Sequence, residues 1–414
     1  PPPDQRPDIA SPAGAASARP VRCAVAGGEA VLENAGLRAR FGTAGARLRL
    51  LSLYNEWAAA EMVRQPEAVD LFLVEVGGRR SAGSRDFALE AVTPVQDGFR
   101  ATLREASMGL RAVLDVAITA EGLRLGLELE NAGAADCEVK VAFPHLAGLA
   151  LSAAPVADYY FFPWSGLFGD RPAVLRRGYG DHEALYQVMD LFSPERGAGL
   201  YLRLDDAEGW HKVLTLRKTV PGQSSWSGDA SNVRTRPEFT WSGSLPAVEG
   251  IGMACEYLRR TRAPGERFVP AAAVLAAHPG DWRVAMRAYA DWAHRVWSWR
   301  PYPSRLTGAH TMTAHGWAQD VLFRDGAYRT DFIKPMADCV EVMSWWDWSP
   351  LGPLGAPMDD LGSRLTPAQI ARWRPYFAKD PVRGQLKWNN QPGDYRGYNQ
   401  GWGGLEAFRK AVAT

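Results

Sequence analysis

The sequence predicts an all-β sandwich followed by one connecting helix and the first strands of an α/β unit. Three observations predict it. From about Arg22 to Pro270 apolar and polar residues alternate in short runs separated by turn chemistry; between His278 and Trp299 the period changes from 2 to 3.6; and beyond Ser304 strand, loop and helix patterns follow one another.

The clearest strand is Gly122-Leu-Arg-Leu-Gly-Leu-Glu-Leu-Glu130, in which Leu123, Leu125, Leu127 and Leu129 share one face and the other face is wet. Leu48 and Leu50 alternate with arginines in the same way. Asp97-Gly98, Glu121-Gly122 and Asn131-Ala-Gly133 lie between such runs, with glycine available for positive φ. Alternating strands at short intervals with few helical segments indicate a sandwich rather than a parallel sheet.

The helix between His278 and Trp299 has Asp281 as its N-cap, places Ala285, Tyr289, Trp292 and Val296 on one face, and is stopped by Arg300-Pro-Tyr-Pro303. The expected organisation is a Pro/Ala-rich leader at 1–21, a sandwich at 22–276, a linker helix at 277–303 and an α/β unit at 304–414. In that last unit Leu306 to His315 and Cys339 to Trp346 read as strands, Thr366 caps a helix, and Gly404 to Ala413 is a helix.

Composition excludes several function classes. A net charge of +1 with 22% charged residues supplies no field for nucleic acid or an anionic membrane. No apolar run reaches the roughly twenty residues of a membrane span. Cys23, Cys137, Cys255 and Cys339 are scattered, without the spacing of a zinc site, so no metal or cofactor is expected. The chain begins at Pro1 with a Pro/Ala/Ser-rich segment, and a mature exported protein, secreted or periplasmic, would begin this way.

Tryptophan is concentrated late: of sixteen, eleven lie at or after Trp282. The densest cluster is Ser344-Trp-Trp-Asp-Trp-Ser-Pro350, just past a predicted strand. Period-2 alternation puts Trp345 and Asp347 on one side and Trp346 and Trp348 on the other. A sugar ring has a C–H face that stacks on indole and hydroxyls that bond to carboxylate, so Trp345 with Asp347 suits a sugar; packing under a helix is the competing reading. A second aromatic and glycine-rich stretch contains Trp388, Asp394, Tyr395 and Trp402, where glycines let the backbone approach a ligand closely. His310 and His315 fall at the first strand of this unit, and His315 reaches the same face if it is not a core histidine. Asp359 and Asp360 follow a Pro/Gly-rich loop and read as a solvated turn or as ligands for sugar hydroxyls or calcium.

Several segments, taken in order, resemble a known arrangement. Ala30-Val-Leu-Glu-Asn34 with Gly45-Ala-Arg-Leu-Arg-Leu-Leu-Ser-Leu53 resembles the opening of the β-supersandwich, or galactose-mutarotase-like, domain that precedes the catalytic barrel of many bacterial glycoside hydrolases. Phe162-Pro-Trp-Ser-Gly166 and Tyr186 to Leu202 resemble its later strands, and His278-Pro-Gly-Asp-Trp282 through Trp292 its linker helix. The chain is similar to a bacterial family of uncharacterised glycoside-hydrolase-like proteins, and more distantly to endo-α-N-acetylgalactosaminidases and α-galactosidases. Gly393-Asp394-Tyr395 resembles the Gly-Asp-aromatic stretch of the α-galactosidase-like barrels.

The resemblance implies a (β/α)8 barrel with a pair of catalytic carboxylates on its middle and later strands. Only two or three βα units fit after residue 304, whereas a closed barrel needs about 250 residues. The expected fold is therefore a supersandwich, a linker helix and the N-terminal part of a truncated barrel, with catalytic residues beyond the end of the chain. The function implied is a glycoside hydrolase acting on an oligo- or polysaccharide, inactive as this piece. The alternative is a non-catalytic carbohydrate-binding or scaffold protein of the same fold. Carbohydrate is the expected partner of Trp345, Asp347, Trp348, Asp394, Tyr395, Trp388, Trp402 and His315. Mutarotases use His and Glu for acid–base work on a sandwich of this type, and His145, His182 and Glu183 are candidates for such a site.

Overall fold

The computed structural model describes residues 20–78, 80–164, 166–179, 184–228, 241, 248–297, 312–315, 323–324, 327–337, 342–345 and 404–413. The leader, the Thr366 helix, Asp359, Asp360 and His310 lie outside them. The chain divides into two compact units, with the boundary after Val296.

The described residues of the first unit form three sheets. Arg22–Ala26, Glu29–Glu33, Leu37–Gly42, Arg49–Asn55 and Ala60–Glu61 form an antiparallel meander. A ten-stranded sheet runs in the order Leu167–Gly169, Tyr159–Phe162, Val188–Ser193, Ala198–Asp205, Ala272–Pro279, Leu123–Asn131, Leu110–Ile118, Gly98–Glu105 and Ala88–Val95, with Arg267–Phe268 beside Leu123–Asn131. A seven-stranded sheet runs Trp226–Ser227, Ala173–Tyr179, Lys212–Thr219, Gly250–Arg262, Cys137–Leu149, Leu73–Val76 and Arg80–Gly83.

Alternation in sequence becomes cross-strand pairing. Leu123, Leu125, Leu127 and Leu129 are buried and stand opposite Ile118, Val116, Leu114 and Ala112 on the adjacent strand. Each fully buried side chain of this size is worth about 1.5–3 kcal/mol, and the intervening Arg124, Gly126, Glu128 and Glu130 face away. Residues of all three sheets contribute to one continuous core.

Two glycines act differently from one another. In the Asp97-Gly98 turn it is Asp97 that takes φ of +60°, a left-handed conformation that aspartate tolerates. Gly122, expected to supply positive φ, instead supplies space: a Cβ there would lie 2.2 Å from the Leu275 carbonyl oxygen.

The sandwich ends later than expected, because the strand Ala272–Pro279 takes in His278. His278 is buried; its Nε2 lies 3.0 Å from Oδ1 of the buried Asp190, and its ring stacks on Tyr201 at 6.0 Å. Burial alone would lower the imidazole pKa, but the Asp190 carboxylate outweighs it and raises it.

The helix follows as Trp282–Val296. Asp281 accepts the backbone N–H of Arg283 at 3.0 Å, as an N-cap does. Ala285, Tyr289, Trp292 and Ala293 are buried, whereas Val296 is exposed; Ala293, four residues after Tyr289, completes the stripe before the last turn. Trp282 stacks on Phe161 at 5.3 Å and on Phe168 at 5.9 Å, residues paired across adjacent strands.

In the second unit, Met312–His315 and Val342–Trp345 pair in parallel, Phe323–Arg324 and Ala327–Tyr328 form a hairpin, and Thr330–Ala337 and Gly404–Val412 are helices. Ile333 and Ala411 are the helical side chains described as buried there. No helix among the described residues is long and apolar enough to cross a membrane.

Candidate functional site

Two places bring chemistry-bearing residues together, one in each unit. In the second unit the two parallel strands are joined through the hairpin and the Thr330–Ala337 helix, the crossover connection that a parallel pair requires. Register puts Met312 opposite Val342 and His315 opposite Trp345. Each of the last two is the final residue of its strand, so they are neighbours at the C-terminal edge of the pair. In α/β folds that edge receives the ligand-binding loops. Of the residues expected to contact sugar, His315 and Trp345 are thus brought together as backbone neighbours. Asp347, Trp348, Trp388, Asp394, Tyr395 and Trp402 lie outside the described residues, as do His182 and Glu183.

In the first unit the seven-stranded sheet has a polar outer face. On Gly250–Arg262, Ile251, Met253, Cys255 and Tyr257 point into the core, so Gly252, Ala254 and Glu256 point outward. The antiparallel partners place Val213, Thr215 and Arg217 on the same side, opposite Glu256, Ala254 and Gly252 respectively.

Glu256 is fully buried and accepts five hydrogen bonds. Oε1 takes Arg176 Nε at 2.9 Å and Thr215 Oγ1 at 2.7 Å; Oε2 takes Lys140 Nζ at 3.0 Å, Arg176 Nη2 at 2.7 Å and Trp241 Nε1 at 2.8 Å. Lys140 also lies 4.6 Å from the centre of the Trp241 ring. Burial would raise the carboxyl pKa, but Lys140 and Arg176 outweigh it and hold it well below the usual range; burial lowers the Lys140 ammonium in spite of Glu256. With its roughly four lone-pair sites taken, Glu256 has none left for a substrate proton. It organises the face rather than acting as a base.

His145 differs. It is buried in the same face, burial pushes its pKa down to about 4, and among the described residues its ring bonds only through Nδ1, to the Asp70 carbonyl oxygen at 3.3 Å. No group of three His, Cys, Asp or Glu among the described residues is arranged to hold a metal ion.

Sequence reasoning singled out His145 but not Glu256, Lys140 or Arg176. The signal was a charge within an apolar alternation, as in Cys255-Glu256-Tyr257 and Val139-Lys140-Val141; such a charge reads as a wet face unless its partners are known.

No family profile matches the sequence, and no curated protein matches it. Solved structures similar to the chain include the galactosidase domain of an α-galactosidase–sucrose kinase, at 9% identity and a TM-score of 0.44 over 88% of this chain and 62% of that one. A GH36 α-galactosidase from Geobacillus stearothermophilus is 10% identical, with a TM-score of 0.43 over 95% of this chain and 64% of that one. A galactose mutarotase-like protein from Lactobacillus casei is 14% identical, with a TM-score of 0.36 over 61% of this chain and 100% of that one. The chain spans less than two thirds of the length of these two galactosidases.

Proposed function

We propose that this chain belongs to a carbohydrate-active protein of glycoside-hydrolase type, in which the second unit holds an oligo- or polysaccharide at the C-terminal edge of its parallel strands. The observation that carries the reading is the register of His315 opposite Trp345 at that edge. A tryptophan and a histidine at paired positions would offer an apolar face to sugar C–H groups and a nitrogen to a hydroxyl. Asp347, two residues on in the chain, is assigned further hydroxyls, and Trp348, Trp388, Asp394, Tyr395 and Trp402 are assigned contacts with the same sugar. These residues are assigned sugar binding rather than bond cleavage, which in the two-carboxylate mechanism needs a general acid and a second carboxylate across the scissile bond.

The test is glycan binding by the whole chain on immobilised oligosaccharides, together with hydrolysis of aryl glycosides. Trp345→Ala is expected to weaken binding about tenfold, since loss of a stacking platform costs on the order of 1 kcal/mol or more. Asp347→Asn is expected to weaken it further. Unchanged binding by both variants, each folded by circular dichroism, would sink the reading. Binding without hydrolysis of any substrate would reduce it to a carbohydrate-binding protein.

A further inference from the structure

The outer face of the seven-stranded sheet carries a small cleft lined by His145, Leu146, Thr215, Arg217, Val248 and Met253, with Gly252 and Ala254 between. Its construction begins with a break in register on Cys137–Leu149. Ala142 stands opposite Glu256 and His145 opposite Ala254, so three steps on one strand match two on its partner. Residues 142 and 145 would occupy opposite faces of an unbroken strand. The extra residue turns both outward, which is how a β-bulge re-aims a side chain. Gly252 fits the bulge: a Cβ there would lie 2.9 Å from the Leu146 carbonyl oxygen.

The polar groups at the cleft are set as acceptors. A carbonyl oxygen only accepts, so His145 Nδ1 carries the proton that goes to Asp70, and in the neutral ring Nε2 keeps a bare lone pair. His145 is 5% exposed, and among the described residues no group donates to its Nε2. Thr215 spends its hydroxyl proton on Glu256 and presents only lone pairs. Ala147, Val248 and the outward Ala254 supply apolar wall.

We propose that this cleft is a binding site for a small neutral polyol, or for the hydroxyl edge of a sugar, separate from the strand-end site of the second unit. Two acceptors at the base call for two hydroxyl donors, and the apolar wall takes the C–H groups between them. The cleft measures about 370 Å³ counted out to the solvent at its mouth, and its closed part is small. It therefore accepts the edge of a ring rather than the whole of one. Arg217 also lines it and would attract an anion, but an anion would set its own lone pairs against those of His145 and Thr215.

The experiment is calorimetric titration of the full chain with myo-inositol, D-galactose and, as the contrasting probe, inorganic phosphate. Saturable polyol binding is expected, weakened at least tenfold in His145→Phe, which fills the site without an acceptor, and unaffected in Asp115→Asn, on a half-exposed position of the ten-stranded sheet. Nitrogen NMR of the unaltered protein guards against a misfolded variant: the unprotonated ring nitrogen of His145 is expected to shift on addition of polyol. Binding of phosphate in place of polyol would overturn the proposal. So would polyol binding indifferent to His145→Phe, or the absence of both saturable binding and a ring-nitrogen shift.

Discussion

Along Gly250–Arg262 one strand serves two faces that are both closed to water by different means. Ile251, Met253, Cys255 and Tyr257 enter the common core and are held by area and packing, while Glu256, on the other side, is held by five donors from Lys140, Arg176, Thr215 and Trp241. The difference concerns what each face tolerates. An apolar core responds to a missing side chain in proportion to the cavity left behind. A buried charge network responds to a missing member by exposing the remaining charges to a medium that does not solvate them.

The sharpest way to break this comparison is Glu256→Ala, which leaves Lys140 and Arg176 without their shared carboxylate. Urea denaturation is expected to show a loss of about 3–5 kcal/mol; a loss under 1 kcal/mol would mean that the outer face is wet. The same carboxylate fixes a pH dependence. Its folded pKa lies below the ordinary carboxylate value, so its contribution is present above that value and is lost as pH falls towards the folded one. On the apolar face, Leu216→Ala is expected to cost about 2–5 kcal/mol, following the cavity it leaves, without that acid dependence. The smallest effect belongs to neither face: Asp281→Ala removes the helix cap, and about 1 kcal/mol in the same assay is expected. No change there would leave the cap to backbone and solvent.

The core face was legible in the sequence because burial and periodicity are the same signal there. Leu123, Leu125, Leu127 and Leu129 announce their side by alternating, and Ala285, Tyr289 and Trp292 announce theirs by recurring at helical spacing. Val296 continued the pattern on paper but lies in the final turn, where the buried stripe has already closed on Ala293. The polar face was not legible, because Glu256 and Lys140 look in sequence like residues facing water. Their burial depends on partners from four separate stretches of chain. The bulge that turns His145 was hidden as well, although Pro144, beside it, was a hint: proline within a strand marks a place where the ladder is interrupted. In the second unit, the described strands Met312–His315 and Val342–Trp345 fall within the two stretches read as strands. Their parallel register, which puts His315 opposite Trp345, follows from the crossover and not from either segment alone.

The stacking of Trp282 on Phe161 and Phe168 also bears on how the helix is joined to the sandwich. The indole is the first residue of the Trp282–Val296 helix, immediately after the final strand of the ten-stranded sheet, and it stacks on a ring from an inner strand and a ring from the edge strand. The start of the helix is thereby tied to two strands of the sheet through ring stacking as well as through the chain itself.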